Sequence, residues 1–452
     1  MNAKKTERTK RSARTAPQKL HIEKGARGLT TQAGLIPVTQ FLRKHHLSSM
    51  IEKTLKHDRG ASALYDAVDG ILLAVVGIVG GARAMTGIVS VWSDKVLSRI
   101  AGWTSIPDDS SLGRLFKSFT MRHINEMETL NHAMRTRIWR HALRHGRDLV
   151  GARRTLSIDV DSTEKTVYGK QEGAAKGYNP HKKGALSYHP LLAFCTETKE
   201  ILQGWFRTGN AYTSNGVVEF TKQLLAHLPD KTKIFFRADS GFFLGDLLSL
   251  LEAGFHDYLI KVKLRNLISV LAGRHWVATP GQPGWEQCEF WYKCGTWSKS
   301  RQFVALRQEQ KPDQILQTTL FEIKKYDYFC YVVSKLDACP WATHKRYGKR
   351  ATSETWIEEA KNQMALAAIK TDSFTANAAL FQCAILAYNT QRWMALCSGD
   401  KTLRRWEPAT LRAFIIRVGG LFRTGSRQMK LQVPETMLYQ PQWNAWVEVA
   451  LP

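Results

Sequence analysis

The chain has 452 residues, 44% of them hydrophobic, and this size predicts two to four domains with a sizeable core. Its 65 Lys and Arg against 39 Asp and Glu give a net charge of +26, which predicts a polyanionic partner. Seven cysteines without a CxxC pair indicate neither a zinc site nor disulfides and fit a reducing cytoplasm, and the longest apolar run, residues 70–82, is too short to span a bilayer.

Residues 1–30 are predicted to form a basic disordered arm. The first 28 contain nine Lys or Arg, two Asp or Glu and few large apolar side chains, a composition that does not support a core. The arm either contacts nucleic acid or only keeps the protein in solution. The sequence leaves both roles open.

Residues 31–150 are predicted to be helical, because apolar residues recur there at spacings of three and four. We predict that this helical domain binds DNA. The segment 105–116 begins a helix with Asp and Ser caps and exposes Arg114 and, just beyond it, Lys117. It is a candidate helix-turn-helix reading head. The alternative is a short capped helix that only packs a bundle.

After residue 150 the pattern changes to alternating strands and amphipathic helices. Strands are predicted at residues 155–161, 188–196, 200–207, 233–239 and 256–262, with helices at 213–228 and 243–253. We therefore predict a mixed α/β core whose first part is 151–263, an aromatic all-β insertion at 264–336 and a second core part at 337–397. A helical C-terminal region is predicted for 398–452.

The first predicted strand places two acids on one face. Its period of two puts Asp159 and Asp161 on the same side, so the two carboxylates repel each other unless a cation or hydrogen bonds compensate. A divalent metal site is one explanation and a solvated edge strand is the other. A further acid, Asp239, closes the strand at 233–239, where it either serves a ligand site or caps the next helix.

The most specific pattern is Tyr347-x2-Arg350-x3-Glu354-x6-Lys361, in a segment where residues 351–368 are good helix formers. On one continuous helix these four side chains share a face. This stripe is not the pattern of a buried helix face, because it combines an aromatic ring with a guanidinium, a carboxylate and an ammonium. A solvated charged face remains the alternative.

Asp161-Ser162-Thr163, Arg237-Ala238-Asp239-Ser240-Gly241 and the Tyr-Arg-Glu-Lys segment resemble the three catalytic motifs of bacterial insertion-sequence DDE transposases of the YREK type. The resemblance covers residues 153–370. It implies an RNase H-like catalytic core interrupted by the β insertion, because 114 residues of aromatic, strand-like texture separate Asp239 from Glu354. The chain is thus expected to be α/β, with a helical DNA-binding region before the core and a helical C-terminus after it.

The resemblance implies that Asp161, Asp239 and Glu354 are the catalytic and metal-binding residues, with Asp159 as an alternate for the first acid. Two Mg²⁺ ions, replaceable by Mn²⁺, are the implied cofactors of a two-metal phosphoryl transfer. Strand geometry cannot choose between Asp159 and Asp161, since both side chains point to the same face.

Contacts with DNA are expected from a set of aromatic and basic side chains around these acids. Arg suits phosphate oxygens, Tyr offers a hydroxyl and a stacking face, and Lys a mobile charge. The loop 177–184 either contacts phosphate or is a solvated turn. Trp297 and Trp291 are candidates to stack on an extruded base, and the alternative for both is a place in the core. The expected DNA-contacting residues are Tyr347, Arg350, Lys361, His181, Lys182, Lys183, Arg237 and Trp297.

The function implied by the resemblance is binding of the terminal inverted repeats of an insertion sequence, their cleavage, and strand transfer into target DNA. The expected partners are double-stranded DNA and a second copy of the chain on that DNA, without a membrane, in the bacterial cytoplasm at the nucleoid. The alternatives are an RNase H-like nuclease or resolvase that cuts without joining, and a non-catalytic DNA-binding protein derived from a transposase.

Overall fold

A computed structural model describes residues 21, 25, 27–60, 63–147, 155–177, 179, 182–295, 297–310, 326–368, 371–425 and 428–451. The helices are α1 (Leu35–Lys44), α2 (Leu47–Thr54), α3 (Ala67–Gly80), α4 (Met85–Trp92), α5 (Lys95–Ala101), α6 (Asp109–Lys117), α7 (Met121–Arg144), α8 (Val217–Ala226), α9 (Gly245–Ala253), α10 (Ile268–Ala272), α11 (Pro340–Gly348), α12 (Ala351–Gln363), α13 (Phe374–Ser398), α14 (Lys401–Arg405), α15 (Pro408–Leu411) and α16 (Gln440–Glu448). The strands are β1 (Leu29–Thr30), β2 (Thr155–Ser162), β3 (Lys165–Thr166), β4 (Ala175–Lys176), β5 (Leu186–Tyr188), β6 (Leu191–Cys195), β7 (Ile201–Trp205), β8 (Lys233–Ala238), β9 (Asp257–Lys261), β10 (Val277–Ala278), β11 (Trp285–Tyr292), β12 (Arg301–Glu309), β13 (Tyr326–Val333), β14 (Gly420–Gly425) and β15 (Gln428–Gln432). The predicted mixed α/β class is confirmed.

The helical region α1–α7 forms because its apolar residues recur at helical spacing, and Asp side chains cap the starts of α3, α5 and α6. Asp66 starts α3 with a reciprocal capping box, in which it accepts from the Asp69 N–H at 2.9 Å. Asp108 caps α6 by accepting from the Ser111 N–H at 2.6 Å, as the Asp and Ser residues there predict. Within the described part of the chain no single helix is long and apolar enough to cross a membrane; α3 and α4 pass that test only as a pair bent by 86°.

Nine of the described strands form one mixed sheet in the order β10-β11-β12-β13-β9-β8-β2-β6-β7. At its centre β2, β8 and β9 are parallel, while β6 and β7 on one side and β13 to β10 on the other continue it antiparallel. The carboxyl ends of β2 and β8 therefore lie side by side at one edge of the sheet. Ligand sites in such sheets favour this edge.

Helix α13 joins the helical region to the sheet. Almost all of its residues are buried, as expected for a helix that is packed on every side. It packs against α3, α6 and α7 and against β7. Its Asn389 satisfies the edge strand β7, because the side chain accepts from Ile201 N–H at 2.9 Å and donates to the Ile201 carbonyl at 2.8 Å. One hydrophobic core consequently spans residues on both sides of the predicted limit at residue 150.

The aromatic segment 264–336 differs from the predicted all-β insertion. Its strands β10–β13 do form, but they extend the central sheet from β9 instead of building a separate unit, and α10 lies within the segment. The pairing of β13 with β9 explains this, since Tyr331, Val332 and Val333 continue the hydrogen-bonded register of the core strand. The limits of the predicted domains stay predictions.

The two chain ends also differ from expectation. The C-terminal region is not wholly helical: the helical stretch ends at Ile416, and β14 and β15 form a hairpin after it. Leu29 and Thr30, the last residues of the predicted disordered arm, pair with Leu421 and Gly420 of this hairpin. Most of the predicted arm, residues 1–20, 22–24 and 26, lies outside the described residues.

Candidate active site

Two acids meet at the carboxyl ends of β2 and β8. The register pairs Val160 with Ala238, so Asp161, near the end of β2, lies level with Asp239, the residue just after β8. Both are partly exposed, whereas the strand residues that precede them are buried. Burial thus ends at the same level on both strands, and the two carboxylates border the solvent together.

Asp239 is held by the tight turn that follows it. Its Oδ1 accepts from the Gly241 N–H at 2.8 Å, which starts a short 3₁₀ turn. A Cβ on Gly241 would lie 2.7 Å from the Thr213 Cγ2 and 3.0 Å from Asp239 Oδ1. Glycine is therefore required for the close approach of this turn to the carboxylate.

Asp159 and Arg237 form a buried ion pair below this edge. Asp159 is fully buried, and Arg237 donates to both of its carboxylate oxygens, from Nε at 2.7 Å and from Nη2 at 2.8 Å. Thr196 adds a third donor at 3.4 Å. The carboxylate is paired and closed off from solvent, so Asp159 would have to give up its bonds to Arg237 before it could bind a metal. Arg237 is 3% exposed and its guanidinium is bonded to Asp159, so its expected contact with DNA stays a prediction that would require this ion pair to open.

The Tyr-Arg-Glu-Lys segment contributes the third acid, but it is not one continuous helix. Tyr347 lies in α11, Arg350 is the N-cap of α12, and the turn between them is closed by the Arg350 N–H donating to the Tyr347 carbonyl at 2.8 Å. The prediction of four side chains on a single helical stripe is therefore wrong for Tyr347. Helix α12 also ends at Gln363, before the predicted end at residue 368.

Arg350 joins the acids in space. Its Nη2 lies 2.8 Å from Asp161 Oδ2, and its Nη1 lies 3.5 Å from Glu354 Oε1. Arg350 is 5% exposed, whereas 64% of the Glu354 side chain is exposed. The strand edge and the start of α12 thus bring Asp161, Asp239, Arg350 and Glu354 into one cluster at the surface.

The charges in this cluster perturb one another. Burial raises the pKa of Asp161 to about 6; Arg350 opposes the rise, and the negative charges of Asp239 and Glu354 add to it. Burial by itself lowers the pKa of Arg350, but Asp161, Tyr347, Asp239 and Asp159 together raise it above its ordinary value. Burial also raises the pKa of Tyr347 to about 12, so that its hydroxyl stays protonated beside the same acids.

The donor chemistry of the cluster fits a hard divalent cation. Asp239 and Glu354 lie close enough to raise the pKa of Asp161, and a positive charge would reduce the repulsion among these three carboxylates. Carboxylate oxygens are also the ligands that Mg²⁺ and Mn²⁺ prefer. In the arrangement described here Arg350 supplies that charge. Among the described residues no three Asp, Glu, His or Cys side chains converge closely enough to hold a metal ion. Coordination by all three acids requires Arg350 and the exposed Glu354 side chain to shift.

Comparison with known proteins identifies the family. The family model for "Transposase DDE domain group 1" matches residues 14–449, nearly the whole chain. The chain belongs to this DDE transposase family. A comparison with curated proteins gives no match. Among solved structures, the transposase is similar to a piggyBac transposase in a synaptic complex with hairpin DNA, with 14% identity and a TM-score of 0.38 over 95% of this chain and 88% of that chain.

The other predicted DNA-contacting residues of the transposase lie at varying distances from the acids. Lys361 is partly exposed on α12, two turns beyond Glu354, and has no hydrogen bond or ion pair within the described residues. Lys182 and Lys183 are exposed in the loop between β4 and β5, which belong to a small sheet that follows β2. Lys182 lies over the Tyr168 ring at 4.7 Å. His181 lies outside the described residues.

Trp297 of the transposase is less available than expected. Its ring packs against Phe243 at 5.2 Å, and Arg301 lies over it at 4.6 Å. Trp291 is 67% exposed on β11 and is the more accessible of the two candidates for stacking on a base. The strand period explains the difference, because Phe290 on the opposite face of β11 is buried.

Sequence reasoning missed one hydroxyl beside the acids of the transposase. Thr213 Oγ1 lies 3.1 Å from Ser162 Oγ, and Ser162 donates its backbone N–H to Asp161 Oδ1 at 2.9 Å. Thr213 lies 52 residues from Asp161 along the chain, in a loop before α8. No local pattern could reveal this contact, because the sheet alone brings the loop to the edge.

Proposed function

We propose that this DDE transposase serves a bacterial insertion sequence of the YREK type: it binds the terminal inverted repeats, cleaves them and joins them to target DNA. The proposal is carried by one observation, the grouping of Asp161, Asp239, Arg350 and Glu354 at the carboxyl edge of the parallel strands. A mixed sheet with acids at two strand ends and a third acid on a covering helix is compatible with an RNase H-like core.

Asp161, Asp239 and Glu354 would hold two Mg²⁺ ions, or Mn²⁺ in their place. When bound, the ions would supply a Lewis acid at the scissile phosphate and lower the pKa of the attacking hydroxyl. Asp161 must be ionised to take part, and its pKa of about 6 leaves it mostly ionised at neutral pH. The Gly241 N–H fixes the orientation of the Asp239 carboxylate.

Arg350 is proposed to alternate between acids and phosphate. Without DNA, its guanidinium neutralises Asp161 and Glu354. When the phosphodiester arrives, the planar fork is free to donate to phosphate oxygens, since the exposed Glu354 gives up its long 3.5 Å contact at little cost. The raised pKa keeps Arg350 charged throughout. Tyr347 would donate its protonated hydroxyl to the same phosphate, and Lys361 would contact the DNA backbone two turns farther along α12.

The chemistry proposed is two in-line displacements at phosphorus. In the first, a water oxygen attacks the phosphodiester, the P–O3′ bond breaks, and a 3′-hydroxyl is released at the element end. In the second, that 3′-hydroxyl attacks a target phosphodiester, one P–O bond forms and one breaks, and the element becomes joined. Neither step requires a covalent bond to the protein.

A strand-transfer assay tests the proposal. Purified protein is incubated with duplexes that carry the inverted repeats flanking its coding sequence, a supercoiled target plasmid, and Mg²⁺ or Mn²⁺. Joined products that need metal and Glu354 support the transposase. Cleaved ends without joined products would favour a nuclease or resolvase, and binding without either would favour a non-catalytic DNA-binding protein.

We further propose that the protein acts at the nucleoid in the cytoplasm and binds the two ends as a homodimer. Two ends must be cut and joined together, and one cluster of acids serves one end at a time. The mass of the complex, measured by light scattering with both ends bound, checks this. A monomer that holds both ends would contradict it.

A further inference from the structure

A groove on the helical region concentrates positive charge far from the acids. It lies between the end of α1, α2 and the second half of α7 and has a volume of about 590 Å³. Its charged and titratable lining consists of basic residues, namely Lys44, His45, Arg137, Arg140, His141 and Arg144, and no acid lines it among the described residues. We call this surface the α7 groove.

The sequence of α7 explains the charge. Between Glu128 and Asp148 the chain has five arginines and three histidines and no acid. Arg137, Arg140 and Arg144 recur at spacings of three and four, so their side chains share one face of the helix. An acid-free stripe of this kind is unusual for a solvated helix, where opposite charges commonly alternate.

The arginines of α7 divide into two kinds. Arg135 is 1% exposed and serves the fold, because it donates to the Leu202 carbonyl at 2.6 Å and to the His227 carbonyl at 3.3 Å. Arg137, Arg140 and Arg144 are exposed, and within the part of the chain that the structure describes none of them has a hydrogen bond or an ion pair. Their donors are free for an anionic ligand.

The floor of the groove offers a further unsatisfied polar group. His45 is 3% exposed, and its Nε2 has no hydrogen-bond partner among the described residues. Burial lowers the pKa of His45 to about 3, so the ring is neutral and fills the floor without adding charge. The charge of the groove therefore resides on its exposed rim, where a ligand with regularly spaced charges would meet it.

A second basic pocket continues this surface. Arg147, just past α7, donates to the Ser398 carbonyl at 3.4 Å and so reaches the chain beside α14. The pocket there is lined by one acid, Glu197, and by five basic residues, Lys199, Arg392, Lys401, Arg404 and Arg405, of which Arg392 is buried and paired with Glu359. Glu197 is occupied, since it accepts from the Ser157 N–H at 3.1 Å. The hydrogen bond from Arg147 places the two pockets on neighbouring elements, and together they make a basic surface suited to a polyanionic strand rather than to a single phosphate.

This basic surface lies at the opposite end of β2 from the acids. Thr196, in the turn that borders the second pocket, donates its N–H to the Ser157 carbonyl, in the first half of β2. Asp161 is four residues farther along the strand, roughly 13 Å at the rise of an extended chain. A phosphate bound in the pocket beside α14 is thus not the phosphate that is cleaved.

We propose that the α7 groove and the pocket beside α14 bind the sugar-phosphate backbone of duplex DNA at a distance from the cleaved bond. The inference rests on the proposed function, because a transposase must hold DNA beyond the few nucleotides at its acids. It assigns backbone contacts to Arg137, Arg140 and Arg144. Helix α6 offers less, since its Lys117 is paired with Asp372 at 2.6 Å.

Binding to a short fluorescent duplex of arbitrary sequence, measured in EDTA over a range of salt concentrations, tests the inference. The variant is Arg137→Gln/Arg140→Gln/Arg144→Gln in the full-length chain. The matched control is Arg417→Gln/Arg423→Gln/Lys430→Gln, which removes the same charge from exposed positions elsewhere. The groove variant should lose about tenfold or more in affinity. The slope of log K against log salt concentration should become shallower by about 2 to 3, because each lost phosphate contact contributes about 0.9 to that slope.

Equal slopes and affinities for the groove variant and the control would overturn the inference. Thermal unfolding of both variants near the wild-type temperature excludes a folding defect. Cleavage of element ends separates this inference from the proposed function. If the wild type cleaves element ends but the groove variant binds DNA as tightly as the wild type, only the inference about the groove is refuted. If binding depends on the groove but no metal-dependent cleavage occurs, the proposed enzymatic function is refuted and the inference about the groove stands.

Discussion

Asp159 and Asp161 lie two residues apart on one strand and one face, yet their surroundings differ. Asp159 is fully buried and receives both donors of the Arg237 fork. Asp161 lies at the strand end, where Arg350 contacts one of its oxygens and two further acids repel it. The first aspartate has a complete set of partners inside the protein. The second has an incomplete set and borders the solvent.

The comparison shows how one strand supplies both an internal ion pair and the acid that we propose for catalysis. A buried carboxylate must be paired, because an unpaired charge in the interior is costly. At the edge of the sheet solvent lowers this cost, so repulsion among acids is tolerated there. Position along the strand, not the face, distinguishes the two roles.

The largest expected effect follows from breaking the inner pair. Arg237→Ala leaves Asp159 buried without its partner and should lower the free energy of unfolding by about 3 to 5 kcal/mol. Urea denaturation measures it. The double variant Asp159→Leu/Arg237→Met removes both charges and should recover most of the loss. A single variant as stable as the wild type would contradict the structural role of the pair.

Protonation of Asp161 gives the next effect. Because its pKa is raised to about 6, the acid is neutral below that pH and cannot bind a cation. Cleavage at limiting Mg²⁺ should fall about tenfold per pH unit below 6, and saturating Mg²⁺ should move the midpoint to lower pH because metal competes with the proton. A rate that stays constant down to pH 5 at limiting metal would contradict the assignment.

Glu128 on α7 extends the comparison to a buried acid whose pKa is not influenced by an arginine. Burial raises its pKa to about 8, and a hydrogen bond from Trp205 opposes the rise. A folded pKa above the ordinary value stabilises the protein below pH 4.5, and this contribution is lost as pH rises through 8. Glu128→Gln should therefore stabilise the protein by about 1 to 2 kcal/mol at pH 9 and change little at pH 5. Thermal melts at both pH values check this, and an equal effect at the two would refute it.

The smallest stability effect should come from Asp161 itself. Asp161→Asn removes one repelling charge and weakens one contact to Arg350, so the free energy of unfolding should change by less than about 1 kcal/mol. Urea denaturation beside Arg237→Ala gives the contrast. A loss as large as that of Arg237→Ala would mean that both aspartates are structural.

Much of the site could be predicted from the sequence because its pieces depend on local pattern. The alternation around Asp161 and the strand before Asp239 predicted two strand ends, and the structure has both. The choice between Asp159 and Asp161 could not be predicted, since the partner of Asp159 is 78 residues away and becomes a neighbour only through the parallel register. The burial of Arg237 could not be predicted for the same reason: its motif context suggested DNA, while its position on β8 buries it.

The fold shows the same division between local and long-range information. Caps and apolar spacing predicted the helical region, and Asp108 caps α6 as expected. The aromatic strands were predicted as strands but not as neighbours of β9, because strand pairing is set by contacts distant in sequence. The hairpin of β14 and β15 was missed because its strands are short and most residues of β15 are polar.

The most direct test is excision from a supercoiled plasmid that carries the element ends, with Mg²⁺, Mn²⁺ or EDTA. The wild type is compared with Asp161→Asn, Asp239→Asn, Glu354→Gln and Asp159→Asn, each checked for folding by circular dichroism at the assay temperature. We expect metal-dependent excision that falls about a thousandfold or more in the first three variants, since each removes a charge at the transition state, and persists in folded Asp159→Asn. Excision that persists in Asp161→Asn but is lost in folded Asp159→Asn would contradict this account.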